Sequence, residues 1–359
     1  MNRHDKFSGG HTVRREKRQI IIPCLSLFLL FLFPTISHAD DTSTESKMGF
    51  SIESVIPENQ LDKTKSYYYL SMQPGQKQTI QVKVKSLQKD PVTVTVAVHD
   101  AVSSSVGAID YAKENPKLDK SLKNPITSLV KPQDGVKEVT VKDKEEKLVS
   151  FDITMPEKAF EGVKLGSLRF VKRDKVAEKQ KTGLVPKYAR VVALMLTEDD
   201  ETFNHGADIK LKDVGLQLSN GRKVIAARIQ NNQPKVLQEM KIQGDIRKKG
   251  EQKNLDKHKI DNFSVAPNSN FDFEIPLGLE KFNPGTYIFT GKAEGDGRIW
   301  KWEEEFTIGK EQADKVNDET VYKVVVPSWV PWVAGLLILA LVGLIVSLVY
   351  RQRQWQERK

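Results

Sequence analysis

QTIQVKVKSL, residues 78–87, decides the fold class. Ile80, Val82 and Val84 fall on one face of an extended chain, and Gln81, Lys83 and Lys85 fall on the other. That period of two is the signature of a strand with one face in a core and one in water. Pro74-Gly75 supplies a turn just before it. Val92, Val94, Val96 and Val98 repeat the alternation, and apolar runs at Tyr67 to Met72, Leu148 to Met155 and Leu165 to Val171 complete a set of sandwich size. Helical periodicity is scarce. Residues 113–130 (KENPKLDKSLKNPITSLV) break the pattern with two prolines and read as a long surface loop with one helical turn at most. Long loops in compact domains are often functional.

The charged stretch 172–182 has little apolar content, and the domain boundary is expected there. A second series of strands follows: Ala189 to Leu196, Ile209 to Leu211, Val224 to Ile229, Met240 to Ile246, Phe271 to Leu277, Tyr287 to Ala293 and Trp300 to Ile308. Asn220-Gly221 and Gly295-Asp296-Gly297 suit tight hairpins, and Pro284-Gly285 a reverse turn. The polar run 309–320 (GKEQADKVNDET) reads as a stalk.

The two ends carry the longest apolar runs. Ile20 to Ile36 follows Arg14, Arg15, Lys17 and Arg18 and closes on Ser37-His38-Ala39, the layout of a secretory signal peptide. Val333 to Tyr350 is uncharged over 18 residues, close to the ~20 needed to cross a bilayer. Trp329 and Trp332 before it, Trp355 after it, and the basic tail of Arg351, Arg353, Arg358 and Lys359 follow the aromatic-belt and positive-inside rules. The expected organisation is a signal peptide at 1–39, β-sandwiches at 40–178 and 179–310, a stalk at 311–328, a transmembrane helix at 329–350 and a cytoplasmic tail at 351–359. The chain then reads as a single-pass type I membrane protein whose ectodomain faces outward.

The net charge of +9 is mostly topogenic. Residues 1–19 hold +4 and residues 351–359 hold +3, which leaves +2 for everything between. A near-balanced ectodomain lacks the basic footprint of nucleic-acid binding. The only cysteine, Cys24, lies in the signal. A secreted mature chain without cysteine must be stabilised by core burial alone, and about 285 residues suffice for two cores. This cysteine avoidance suits a Gram-positive surface protein.

Catalysis and metal binding find little support in the residues. His99, His205 and His258 are far apart and lack metal-ligand spacing. Nucleophile elbows, His-Glu-x-x-His helices and phosphate loops are missing from the sequence. No catalytic residue, metal or cofactor is therefore expected. The aromatics have two readings: Tyr67 and Tyr69 share one face of a strand and Tyr68 the other, so a binding platform and plain packing are both open. Trp300 and Trp302 pose the same choice.

The motifs FSIESVIPENQLD (50–62), MQPGQKQTIQVKV (72–84), VGAIDY (106–111), DKSLKNPI (119–126) and GVKLGSLRF (162–170) resemble the N-terminal domain of WxL-interacting proteins. RVVALMLTE (190–198), NGRKVIAARIQNNQP (220–234), APNSNFDFEIPL (266–277), NPGTYIFTGKA (283–293) and WKWEEEFTIG (300–309) look like that family's C-terminal ectodomain. The resemblance implies a surface protein of low-GC Gram-positive bacteria, all-β, with two tandem immunoglobulin-like β-sandwich domains. It implies peptidoglycan binding by the first, host or extracellular-matrix protein binding by the second, and association with WxL-domain cell-wall proteins.

On that footing the candidate binding residues in the first domain are Tyr67, Tyr69, Asp110, Tyr111, Lys120, Leu122 and Arg169. In the second they are Asn268, Asn270, Trp300 and Trp302. The expected function is a non-enzymatic, membrane-anchored adhesion or scaffold protein. Its first rival is a surface chaperone that presents an edge strand to envelope proteins. A wall-modifying enzyme would need a polar constellation the sequence lacks, and a signalling receptor would need more than a nine-residue tail.

Overall fold

The computed structural model describes residues 48–173, 187–199, 201–323 and 327–357. The expected signal peptide, Cys24 and most of the expected linker lie outside the described residues. The first β unit is built as its alternation predicts. One sheet has the order β1 (Phe50–Val55), β3 (Lys77–Ser86), β9 (Glu146–Thr154), β7 (Val130–Pro132). In β3 and β9 the pairs Ile80 with Phe151 and Val82 with Val149 turn inward. The second sheet runs β2 (Tyr68–Ser71), β11 (Ala189–Thr197), β10 (Val163–Lys172), β4 (Val92–Asp100), β8 (Glu138–Val141). Val94 and Val96, with Leu168 and Phe170 of the neighbouring strand, face the first sheet across one core. Phe151 and Phe170 meet edge to face, with centroids 6.1 Å apart. A four-residue helix, α1 (Ile126–Leu129), plugs the sheet end with Ile126 and Leu129.

Strand β11 corrects the sequence reading, which placed Ala189 to Leu196 in the second series. It lies between β10 and β2, antiparallel to one and parallel to the other, with Leu194 opposite Tyr68 and Leu196 opposite Leu70. Val192, Leu194 and Leu196 fill the first core. Alternation specifies that a strand has a buried face, but not which core receives it.

The second unit has a sheet ordered β12 (Ile209–Ser219), β13 (Arg222–Asn231), β16 (Ser269–Pro276), and another ordered β15 (Asn254–Val265), β14 (Leu237–Lys248), β17 (Gly285–Gly295), β18 (Arg298–Ile308). Ile225, Ala227 and Ile229 of β13 and Phe271, Phe273 and Ile275 of β16 share a core with Ile242 and Ile246 of β14 and Phe289 of β17. The two tight hairpins form as expected, with positive φ at Asn220 and Gly221 and at Asp296 and Gly297.

The expected stalk is also corrected. Lys310–Glu319 form a helix, α2, with Ala313 and Val316 buried in the second core. Asn317 exchanges hydrogen bonds with the backbone of Phe282, at 2.8 and 2.9 Å, and the Thr320 hydroxyl donates to the Gly221 carbonyl at 2.9 Å. Three inward residues at spacings of three and one suffice to dock a short helix whose other face is charged. A last helix, α3 (Val330–Glu357), contains the apolar stretch Val330–Tyr350, long enough to cross a membrane.

Candidate functional site

The two β units meet along a seam that gathers several of the sequence candidates. The chain leaves β4 through a small ribbon, β5 (Val102–Ser103) and β6 (Ile109–Asp110), which projects onto the second unit. There the Ser103 amide donates to Ser269 Oγ and the Ala266 amide donates to Ser103 Oγ, both at 2.9 Å. The Ser264 amide donates to the Gly107 carbonyl, and the Val163 amide to the Pro234 carbonyl, again at 2.9 Å. Gly162 permits this last approach. Its φ is +68°, and a Cβ there would lie 2.2 Å from the Pro234 oxygen.

Beside these backbone ties sits a polar latch centred on Asp119, in the loop singled out by its length. Its carboxylate accepts from Gln230 Nε2 at 2.8 and 2.9 Å, from Asn270 Nδ2 at 2.9 Å and from the Ser121 amide at 2.9 Å. Asn268, buried and at positive φ, donates to Ser121 Oγ at 3.3 Å and to the Asn232 carbonyl at 3.0 Å. Burial pushes the Asp119 pKa up, but the bonds from Ser121, Asn270 and Gln230 outweigh it and hold the group below the ordinary carboxylate range. A depressed carboxylate pKa contributes fully above the unfolded value of about 3.9 and loses that contribution as pH falls through the lower folded value. Acidification below about pH 4 is therefore expected to loosen the seam. After correction for intrinsic rates, hydrogen exchange at the Ser103, Ser264 and Ala266 amides should quicken between pH 6 and pH 3.5. In Asp119→Ala it should already be fast at pH 6. Equal protection in both proteins at both pH values would show that the latch is idle.

The seam also holds an open cavity of about 310 Å3. The first unit contributes Tyr67, Ile109, Tyr111, Leu165, Ala193 and Met195, and the second contributes Val236 and Gln238, with Phe203 from the connection between them. Its floor continues into the buried cluster of Ala101, Val163, Leu165, Met195 and Val236. The alternation read from sequence explains the wall: Tyr68 is buried in the first core with its hydroxyl on the Gln81 carbonyl at 2.6 Å, while Tyr67 and Tyr69 turn to the seam. Tyr69 meets Phe203 edge to face at 5.6 Å. Burial, with a smaller effect of the neighbouring Tyr67, pushes the Tyr111 phenol up to about 12, so it stays neutral and able to donate.

The loop that carries Tyr111 is pinned across the outer face of β10 and β4. Ser167 Oγ donates to the Tyr111 carbonyl at 2.5 Å, His99 Nδ1 contacts the Lys113 carbonyl at 3.1 Å, and Arg169 Nη1 donates to Glu114 at 2.6 Å. Asp110 caps the turn by accepting from the Ala112 and Lys113 amides at 2.8 and 3.1 Å. Arg169 and Asp110 thus position the wall. Lys120 is exposed beyond the latch, and Leu122 is half-buried, with its amide donating to the Asp119 carbonyl at 3.0 Å. Trp300 and Trp302 do not reach the cavity. They pack half-buried on the second core, and the Trp300 indole donates to Asp208 at 3.1 Å. Asp119, Gln230, Phe203, Val236 and Gln238 were not singled out from sequence. Asp119 and Gln230 stand inside recognised motifs, but no local signal marks the other three. Among the described residues no cluster of three or more metal-ligating side chains exists.

The peptidoglycan-binding-domain model of the WxL-interacting proteins matches residues 50–172, and the host-binding-domain model of the same proteins matches residues 179–318. The chain belongs to the WxL-interacting protein family. The two models occur in the family's order and together cover the seam from both sides. No curated protein matches the chain in sequence. Among solved structures it is similar to the Pseudomonas aeruginosa chaperone CupB2, at 10% identity over 67% of this chain and 97% of that one, with a TM-score of 0.29. The E. coli chaperone DraB is 13% identical over 72% and 99%, with a TM-score of 0.27. PapD-like domain 7 of human CEP192 is 8% identical over 47% and 99%, with a TM-score of 0.29. Likenesses at those scores carry no argument here.

Proposed function

We propose that the chain is a membrane-anchored scaffold of the cell envelope that holds peptidoglycan through its first β unit and WxL-domain proteins, with host or matrix proteins, through the rest of its ectodomain. The supporting observation is the succession of a peptidoglycan-binding and a host-binding domain in one chain, followed by an apolar helix of membrane-spanning length. Both units are immunoglobulin-like on this reading, the signal directs export, and the basic tail stays in the cytoplasm. The mechanism is multivalent and needs no catalysis: each contact is modest, and the anchor raises the effective concentration of the others.

The test is binding by the purified full chain in detergent micelles. It should co-sediment with purified peptidoglycan and, separately, retain WxL-domain proteins from an envelope extract through washes of rising salt, identified by mass spectrometry. Failure of the WxL proteins to stay bound would remove the tethering role and leave wall and host binding.

One observation favours a second reading, an edge strand offered to assembling envelope proteins. Along β4 the odd residues bond β10, as in the Ala101 amide to the Leu165 carbonyl at 3.1 Å, and the even ones face β8, as in the Val96 amide to the Lys137 carbonyl at 2.8 Å. The ladder with β8 ends at Thr95, so the Val98 amide and carbonyl face an open groove and have no backbone partner among the described residues. An extended segment fits such an edge.

A further inference from the structure

The chemistry of the seam cavity restricts what can fill it. Three side chains supply polar groups: the phenols of Tyr67 and Tyr111 and the amide of Gln238, and among the described residues none of them has a side-chain hydrogen bond. The rest of the lining is aliphatic or the ring of Phe203. No cation lines the space, so a carboxylate or phosphate would be desolvated without a counter-charge. A pyranose would bring more hydroxyls than three groups can satisfy, and each one buried unpaired costs free energy. A volume of about 310 Å3 is at the small end of ligand sites and admits one ring system. A planar ring with a single polar handle satisfies every wall: its faces and edges meet the tyrosines and Phe203, and its one N–H or O–H finds a phenol oxygen or the Gln238 amide.

We propose that the cavity receives one tryptophan or tyrosine side chain presented by a protein partner, as an anchor that completes the apolar cluster at the seam. The inference rests on the reading of the chain as a surface protein that binds other proteins, and it places part of that binding between the two units. The cavity is continuous with the interface already formed by Ala101, Val163, Leu165, Met195 and Val236, so an inserted ring extends a built apolar contact. Buried aromatic anchors in pockets of this kind carry most of the energy of many interfaces. Both units supply walls, so the site depends on the seam that the Ser103, Val163 and Asp119 contacts hold together.

The test uses the full chain in lipid nanodiscs and N-acetyl-tryptophanamide as the probe, followed by saturation-transfer NMR. Saturable binding is expected, with N-acetyl-tyrosinamide competing and N-acetylglucosamine not competing. Ala193→Trp, which fills the cavity from an outward-facing position, should weaken the probe at least tenfold. Tyr111→Phe, which removes one handle, should weaken it about threefold. Should Ala193→Trp fail to fold, Gln238→Trp at the exposed mouth gives the same reading. Absence of saturation in the wild type, equal affinity in the filled variants, or displacement by N-acetylglucosamine would each overturn the proposal. Peptidoglycan co-sedimentation of the same proteins separates this from failure of the wider reading, because cavity filling should leave it unchanged.

Discussion

Gly166→Ala is expected to destabilise the first β unit by about 3 kcal/mol, more than most single methyl additions. Gly166 lies in β10, flanked by β4 and β11. A Cβ there would stand 2.5 Å from the His99 carbonyl oxygen and 2.7 Å from Cβ and Cγ2 of Ile126. The carbonyl belongs to the paired strand β4 and cannot retreat without opening the ladder, and Ile126 is itself fully buried. Calorimetry of the full chain should show the unfolding of the first β unit falling by roughly 10 °C. A fall of less than about 2 °C would mean that helix α1 does not press on β10 as described.

Ending the chain after Thr320 is expected to move it almost entirely from the membrane to the medium. The removed helix α3 holds twelve Leu, Ile and Val residues between Val333 and Tyr350. At about 0.3–0.6 kcal/mol each near the bilayer centre, they supply roughly 4–7 kcal/mol of insertion. Helix α2 docks on the second core and ends at Glu319, so the truncation leaves the β units intact. Fractionation of expressing cells checks the result. Quantitative retention of the truncated chain on washed cells would show that wall and protein contacts hold it without the membrane.

The β character, the hairpin turns and the apolar C-terminal helix were legible because each is a local pattern. Ile80, Val82 and Val84 alternate within one strand, and Asn220-Gly221 carries its turn geometry in two residues. Strand β15 escaped notice because its NLDKHKIDNFSV is charged on both faces for most of its length and buries only Phe263 and Val265 fully. The partner of β11 was illegible for a different reason: Val192, Leu194 and Leu196 fit either core equally well as a pattern, and only the parallel register beside β2 selects the first. The docking of α2 rests on Ala313, Val316 and Asn317, too few apolar residues to stand out in a polar run.

The site was legible in part. Tyr67 and Tyr111 line the cavity, Tyr69 packs on the cluster beside it, and Asn268 and Asn270 meet the loop around Asp119 as ties across the seam. Trp300 and Trp302 took the plain packing role left open for them. Phe203, Val236 and Gln238 come to the cavity through tertiary arrangement alone, and a single sequence carries no mark of that.

On the proposed reading one chain bridges membrane, wall and protein at the same time. The full chain in liposomes, mixed with purified peptidoglycan and a labelled WxL-domain protein, should carry lipid and label into the wall pellet together. Removing residues 330–350 should leave the lipid in the supernatant. Lipid and label remaining in the supernatant with the intact chain, under conditions where it is folded and inserted, would contradict the account.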